Sequence, residues 1–138
     1  KNFFLILDNK IVTFIAFDYG ERRIGVAIGN TLTCSARPLR ILDAKDKKKC
    51  FEEISKIIQD WSPDRLVVGL PIYPDGSTHP FSKKCQKFAN KLFQQFGVEV
   101  TFEDERWTSK LAKGKKHDDA RAATIILEGV LNASAHST

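Results

Sequence analysis

Asp18 closes the apolar run Ile15-Ala16-Phe17, and Tyr19-Gly20 leads into a second apolar run from Ile24 to Ile28. The pattern is a buried strand, a glycine turn and a returning strand, with a carboxylate at the tip of the first. Such an acid is costly unless a cation meets it there. Magnesium, which takes oxygen ligands, is the usual partner. The plainer alternative is an Asp that caps its own turn. Two further acidic segments bear on that choice. Val98 to Phe102 runs as a strand into Glu103-Asp104-Glu105-Arg106, and Asp118-Asp119 opens the last helical pattern. Ligands in open α/β sheets bind beyond the carboxyl ends of the strands. Acids from three distant segments are therefore expected on one rim, which turn capping does not predict. Two divalent ions, Mg2+ or Mn2+, in such a cluster would clamp the attacking water and the leaving oxygen of a phosphodiester.

Helical rotation separates the two adjacent acids of the last segment. Successive residues turn by about 100°, so Asp119 projects within roughly 20° of the middle of the stripe Ala122, Ala123, Ile126, Leu127 and Val130. Asp118 falls about 120° away, where the helix macrodipole is reason enough for an acid. Asp119 is the candidate ligand.

The chain has 22 Lys and Arg against 17 Asp and Glu, a net charge of +5. The lysines cluster at 45–49, at Lys83, Lys84, Lys87 and Lys91, and at Lys110, Lys113, Lys115 and Lys116. Solvated helix faces explain such clusters as well as a phosphate-binding surface does, unless they border the acids. Trp107, beside the acids, could stack on an unpaired base or simply pack. His79, before Pro80, reads as a cap or loop residue rather than a catalyst.

The elements that must position these residues can be read in order. Ala36 to Leu42 alternates as a third strand, in which Pro38 requires an edge or a strand start. Cys50, Phe51, Ile54, Ile57, Ile58 and Trp61 recur at helical spacing, with Trp61 completing a core stripe, until Ser62-Pro63 stops the pattern. Arg65 to Leu70 is a short apolar run, the mark of a central parallel strand. A loop built on Pro74-Asp75-Gly76 precedes a second helix from Phe81 to Phe96, which Gly97 terminates. The strand Val98–Phe102 and a helix carrying Ala122 to Leu131 complete the chain. The expected fold is α/β: a mixed five-stranded sheet, three antiparallel strands and then alternating helix and strand, flanked by helices.

With 138 residues the chain suits one domain, preceded by an extension over 1–12 and followed by a flexible tail over 132–138. No apolar run reaches membrane-spanning length, and the apolar start lacks a small-residue cleavage site. Cys34, Cys50 and Cys85 are odd in number and far apart, so neither a disulfide framework nor a zinc site is suggested. A reducing cytoplasm is the expected compartment.

Several segments together resemble a known family. Phe17-Asp18-Tyr19-Gly20 with Ile24-Gly25-Val26-Ala27, Ala36-Arg37-Pro38-Leu39, Val67 to Pro71 with Asp75-Gly76, Phe88-Ala89, Asp104-Glu105-Arg106, and Asp119 before Ala122-Ala123 and Ile125-Ile126-Leu127 occur in the order of the YqgF, or RuvX, family. That family is part of the RNase H-like superfamily. The resemblance covers roughly residues 14 to 131. It implies an RNase H-like fold and a metal-dependent nuclease, linked to maturation of the pre-16S rRNA and proposed to act on Holliday junctions. It implies Asp18 as the first-strand metal ligand, Asp119 as the helix ligand, and Glu105, or Asp104 beside it, as the middle acid. Arg106 and Thr108 would orient the site or touch phosphate, and Arg37 would face substrate. From the basic clusters, Lys84, Lys87, Lys115 and Lys116 are expected to add nucleic-acid contacts. Ribosome-assembly particles are a further implied partner, and the protein would be a monomer or a homodimer. The loop from Trp107 to Lys115 is shorter than the resemblance leads one to expect.

Two other functions fit parts of the pattern. An ATP-using phosphotransferase also opens on an Asp-x-Gly hairpin, but it needs a second lobe, and no Walker loop is present. A non-catalytic RNA-binding assembly factor would not need acids at all three positions.

Overall fold

The computed structural model describes residues 11–104 and 121–135. Among these, the chain forms β1 (Thr13–Asp18), β2 (Arg23–Asn30), β3 (Ser35–Asp43), α1 (Lys47–Trp61), β4 (Arg65–Leu70), α2 (Ser82–Phe96), β5 (Glu99–Asp104) and α3 (Arg121–Ala135). The element order is the expected one. The strands form one sheet in the order β3-β2-β1-β4-β5. β1, β2 and β3 are antiparallel neighbours, whereas β4 lies parallel to β1 and β5 parallel to β4.

The continuous apolar character of β1 follows from its central place. Ile15 and Phe17 face one layer, shared with Leu66 and Val68 of β4 and with Ile54, Phe88 and Leu92 of α1 and α2. Phe14 and Ala16 face the other, where Ala123, Ile126, Leu127 and Leu131 of α3 cover the sheet. Phe17 meets Phe88 edge to face, with ring centroids 5.6 Å apart, a contact worth about 0.5–1.5 kcal/mol beyond its buried area. The glycine turn after Asp18 is sterically required. A Cβ on Gly20 would lie 2.5 Å from the Arg23 carbonyl oxygen.

β3 occupies an edge of the sheet, which is where Pro38 can be tolerated without a backbone N–H. The register shifts there, Ala27 pairing with Pro38 and Val26 with Arg40, so Leu39 is the extra residue of a bulge. Asp46 caps α1 by accepting from the Lys49 N–H at 3.1 Å, and Ser62 ends it in the left-handed region, φ 44°. Ser82, 1% exposed, donates to the Pro71 carbonyl at 2.7 Å. This bond ties the start of α2 to the end of β4.

One detail departs from the sequence-based expectation. Trp61 is 41% exposed and not a core residue. It sits at the last turn of α1 under the Arg37 guanidinium, 5.5 Å from its ring centroid. Its apolar surface is thus covered by a cation from β3 instead of by the core. α3 runs to Ala135, and the rest of the expected tail lies outside the described residues. Val12 is bonded through its backbone to Thr31, and residues 1–10 of the expected extension lie outside the described residues. No helix among the described residues is long and apolar enough to cross a membrane.

Candidate active site at the carboxyl edge of the sheet

Strand alternation decides which acids share a face. Asp18 has the parity of Phe14 and Ala16, so it lies on the α3 side of the sheet, half-buried at the strand end. Its antiparallel partner is Gly25. On the other flank, Phe17 pairs with Val68, so the next step sets Gly69 beside Asp18. The carboxylate is therefore bordered on both neighbouring strands by residues without side chains. Glycines in strand interiors mark places where a ligand or another backbone comes close.

Gly69 in turn pairs with Glu103. Glu103 projects to the α3 side, where a Cβ on Gly129 would be 3.1 Å from its Oε2. Asp18 and Glu103 therefore occupy one row on one face, two strands apart, or on the order of 10 Å between backbones. Burial pushes the Glu103 carboxyl above its usual range, and the neighbouring Asp104 charge adds to the effect. Asp104 has the parity of Val100, which packs in the α1/α2 layer, so it lies on the opposite face from Asp18. Glu103 is not among the residues that the sequence singles out by motif. The signal is nonetheless present in the period of two, since Thr101, Glu103 and Glu105 share a parity that Asp104 lacks.

Glu105, Arg106, Trp107, Thr108, Lys115, Lys116, Asp118 and Asp119 lie outside the described residues. Among the described residues, no three His, Cys, Asp or Glu side chains are gathered to hold a metal ion. Arg37 is not brought to the Asp18 end: it pairs with Ile28, three rows further down the sheet, and stacks on Trp61. Lys84 is close to this end, in an ion pair with Glu21 of the β1–β2 turn. Lys84 and Lys87 border a cavity of about 600 Å3 beside Tyr19. His79 acts as the expected loop residue, its Nδ1 accepting from the Phe81 N–H at 3.0 Å. Cys50 and Cys85 are buried thiols and Cys34 is exposed.

Among the described residues, a five-stranded mixed sheet with this order, covered by two helices on one face and one on the other, has the RNase H-like architecture. RuvC of Thermus thermophilus bound to a Holliday junction superposes with a TM-score of 0.56 at 14% identity, covering 91% of this chain and 97% of that one. The archaeal Pelota of Archaeoglobus fulgidus gives a TM-score of 0.53 at 9% identity, over 94% of this chain and 36% of that one. These two likenesses concern the fold alone. The model of the RuvX family, described as Holliday junction resolvase, matches residues 12–133. A protein of Bordetella avium named "Putative pre-16S rRNA nuclease" is 48% identical over 124 residues, covering 87% of this chain and 95% of the relative. One of the same name from Paraburkholderia phytofirmans is 46% identical over 128 residues, 87% of this chain and 88% of the relative. This chain belongs to the RuvX family.

Proposed function

We propose that this protein is a metal-dependent nuclease that hydrolyses phosphodiesters in structured nucleic acid, with the 5′ end of a pre-16S rRNA as its substrate. The observation that carries this reading is Asp18 at the carboxyl end of the central strand, flanked by Gly25 and by Gly69 on the face covered by α3. The names borne by the Bordetella and Paraburkholderia relatives support the RNA substrate. The family's description supports branched DNA as the substrate to be compared with it.

The residues fit a divalent ion in donor type, since Asp18 offers carboxylate oxygens, the hard ligands such an ion takes. The proposed ligands are Asp18, Glu105 and Asp119. Glu105 is preferred to Asp104 because it has the parity of Glu103 and Asp104 does not. Ions held there would stabilise charge on both the attacking and the leaving oxygen. The chain's own contributions are placement of the acids by the sheet, and phosphate binding by lysines near the same edge. Arg106, Thr108, Lys115 and Lys116 are proposed to hold the backbone near the scissile bond.

The test is a cleavage assay on pre-16S rRNA 5′ leader and on a four-way DNA junction, titrated with Mg2+ and Mn2+. Wild-type protein should cut the RNA only with metal, and Asp18→Asn should lose at least a hundredfold in rate while remaining folded. Cleavage of the junction alone would overturn the substrate assignment. Near-normal cutting by folded Asp18→Asn would sink the mechanism.

A further inference from the structure

Across the sheet edge from Asp18, a groove of about 600 Å3 lies between the first turns of α1 and the outer face of α2. Its rim carries four ammonium groups, those of Lys47, Lys84, Lys87 and Lys91, against one carboxylate, Glu21. Glu21 is already engaged by Lys84. The floor is aromatic. Tyr19 and Phe88 pack with centroids 4.8 Å apart, and Phe51 lies beside them with Lys91 Nζ 5.7 Å from its ring centroid. Asn90 and Gln94 add carboxamides, which can donate to and accept from base edges.

We infer that this groove receives an unpaired nucleotide of the nucleic-acid substrate, with its phosphates on the lysine rim and its base and sugar against the aromatic floor. The inference rests on the nuclease reading for its substrate and extends it to a single-stranded segment. Three observations point to this occupant. The volume falls within the ~300–1,000 Å3 of small-ligand sites, room for about a nucleotide or two and too little for a duplex. A cationic rim over an aromatic floor is the combination that binds single strands without regard to sequence. An acidic peptide would match the charge but would have no use for the aromatic floor. The groove also begins at Tyr19, whose Cα is about 3.8 Å from that of Asp18 along the chain. A strand leaving the scissile phosphate on the α3 side need only cross the end of β1 to enter it.

The test separates this groove from the cleavage reaction by working in chelator, where no cutting occurs. Binding of a fluorescein-labelled uridine octamer and of a blunt duplex of equal length is measured by anisotropy. Lys47 and Lys91 are both exposed side chains, so Lys47→Glu/Lys91→Glu should retain the fold; Lys47→Ala/Lys91→Ala serves if it does not. The expected result is at least a tenfold loss for the octamer and less than twofold for the duplex. The log-log salt slope for the octamer should fall by about 1.4, the value for two phosphates no longer neutralised. A 5-iodouridine octamer should photocross-link to Tyr19 or Phe51. Equal losses for both probes, an unchanged slope, or cross-links confined to other segments would overturn the inference. If wild-type protein cuts neither RNA nor DNA but the octamer result holds, the groove stands and the nuclease reading fails. If it cuts RNA but the octamer result fails, the nuclease reading stands and the groove assignment is overturned.

Discussion

Asp18 is the candidate ligand whose neighbours on the two flanking strands, Gly25 and Gly69, carry no side chain of their own. If Mg2+ binds there, it binds only the folded protein and stabilises it by mass action, by about 2.7 kcal/mol at a hundredfold excess over Kd. For a domain of this size that is a rise in Tm of several degrees. The expected result is a Mg2+-dependent rise for wild type and none for Asp18→Asn, read by differential scanning fluorimetry with the nucleic acid absent. An equal rise in both proteins would place the ion elsewhere. Cys50 gives a second prediction at this scale. Burial, followed by the charges of Glu53, Asp43 and Asp46, pushes its thiol up to about 11. A group whose folded pKa is raised contributes stability that is fully present below its unfolded value, here 9.0, and is lost as pH rises through the folded one. Unfolding free energy should therefore decline between about pH 9 and 11, and Cys50→Ala should flatten that decline even though it costs stability at neutral pH. At about pH 8 the exposed Cys34 should react with a thiol reagent well before Cys50 and Cys85. Rapid modification of all three thiols in the native protein would contradict the burial.

At the scale of elements, the face assignment of β5 carries the consequence. Val100 packs toward α1 and α2, and Glu103 reaches toward Gly129 of α3. Asp104 therefore belongs to the face opposite Asp18, and Glu105 has the parity of the shared face. Glu105→Gln should abolish metal-dependent cleavage, whereas Asp104→Asn should retain activity within about tenfold. Parallel cleavage rates at saturating Mn2+ decide between them, and the reverse ranking would show that the strand parity does not continue through these positions. The edge placement of β3 has a different outcome. It lets Pro38 stand beside a bulge and sends Arg37 onto Trp61. That stack is worth about 0.5–1 kcal/mol at an exposed site and lies away from the acids.

At the scale of the whole molecule, Lys47 of α1 and Lys84, Lys87 and Lys91 of α2 come together at one cavity that begins at Tyr19, next to Asp18 in the chain. Lys84→Glu/Lys87→Glu should lower the log-log salt slope of RNA binding by roughly 1.4–1.8, two phosphate contacts at about 0.7 to 0.9 each. Lys84 already holds Glu21, so its reversal also leaves Glu21 opposed by a like charge. Filter binding from low to moderate salt measures the slope. An unchanged value would mean that this face is only solvated.

Local sequence determined the elements themselves. Hydrophobic period, the Ser62-Pro63 and Gly97 stops and the continuous run at 65–70 are short-range signals, and each produced its element in the expected order. Asp18 stands out as a candidate for the same reason: an acid that ends an apolar run is conspicuous within a single strand. Tertiary structure decided what depends on pairing between distant segments. No local pattern shows that Gly25 and Gly69 flank Asp18, or that Glu103 joins its row, because these follow from the register of separate strands. Trp61 completed a helical stripe in sequence, yet that stripe extends past the edge of the core, and a cation from β3 covers it. The lysine groove likewise exists only because α1 and α2 pack on the same face of the sheet, bringing Lys47 and Lys91 to one cavity. Periodicity is a property of a segment, whereas register and layer assignment are properties of the assembled sheet.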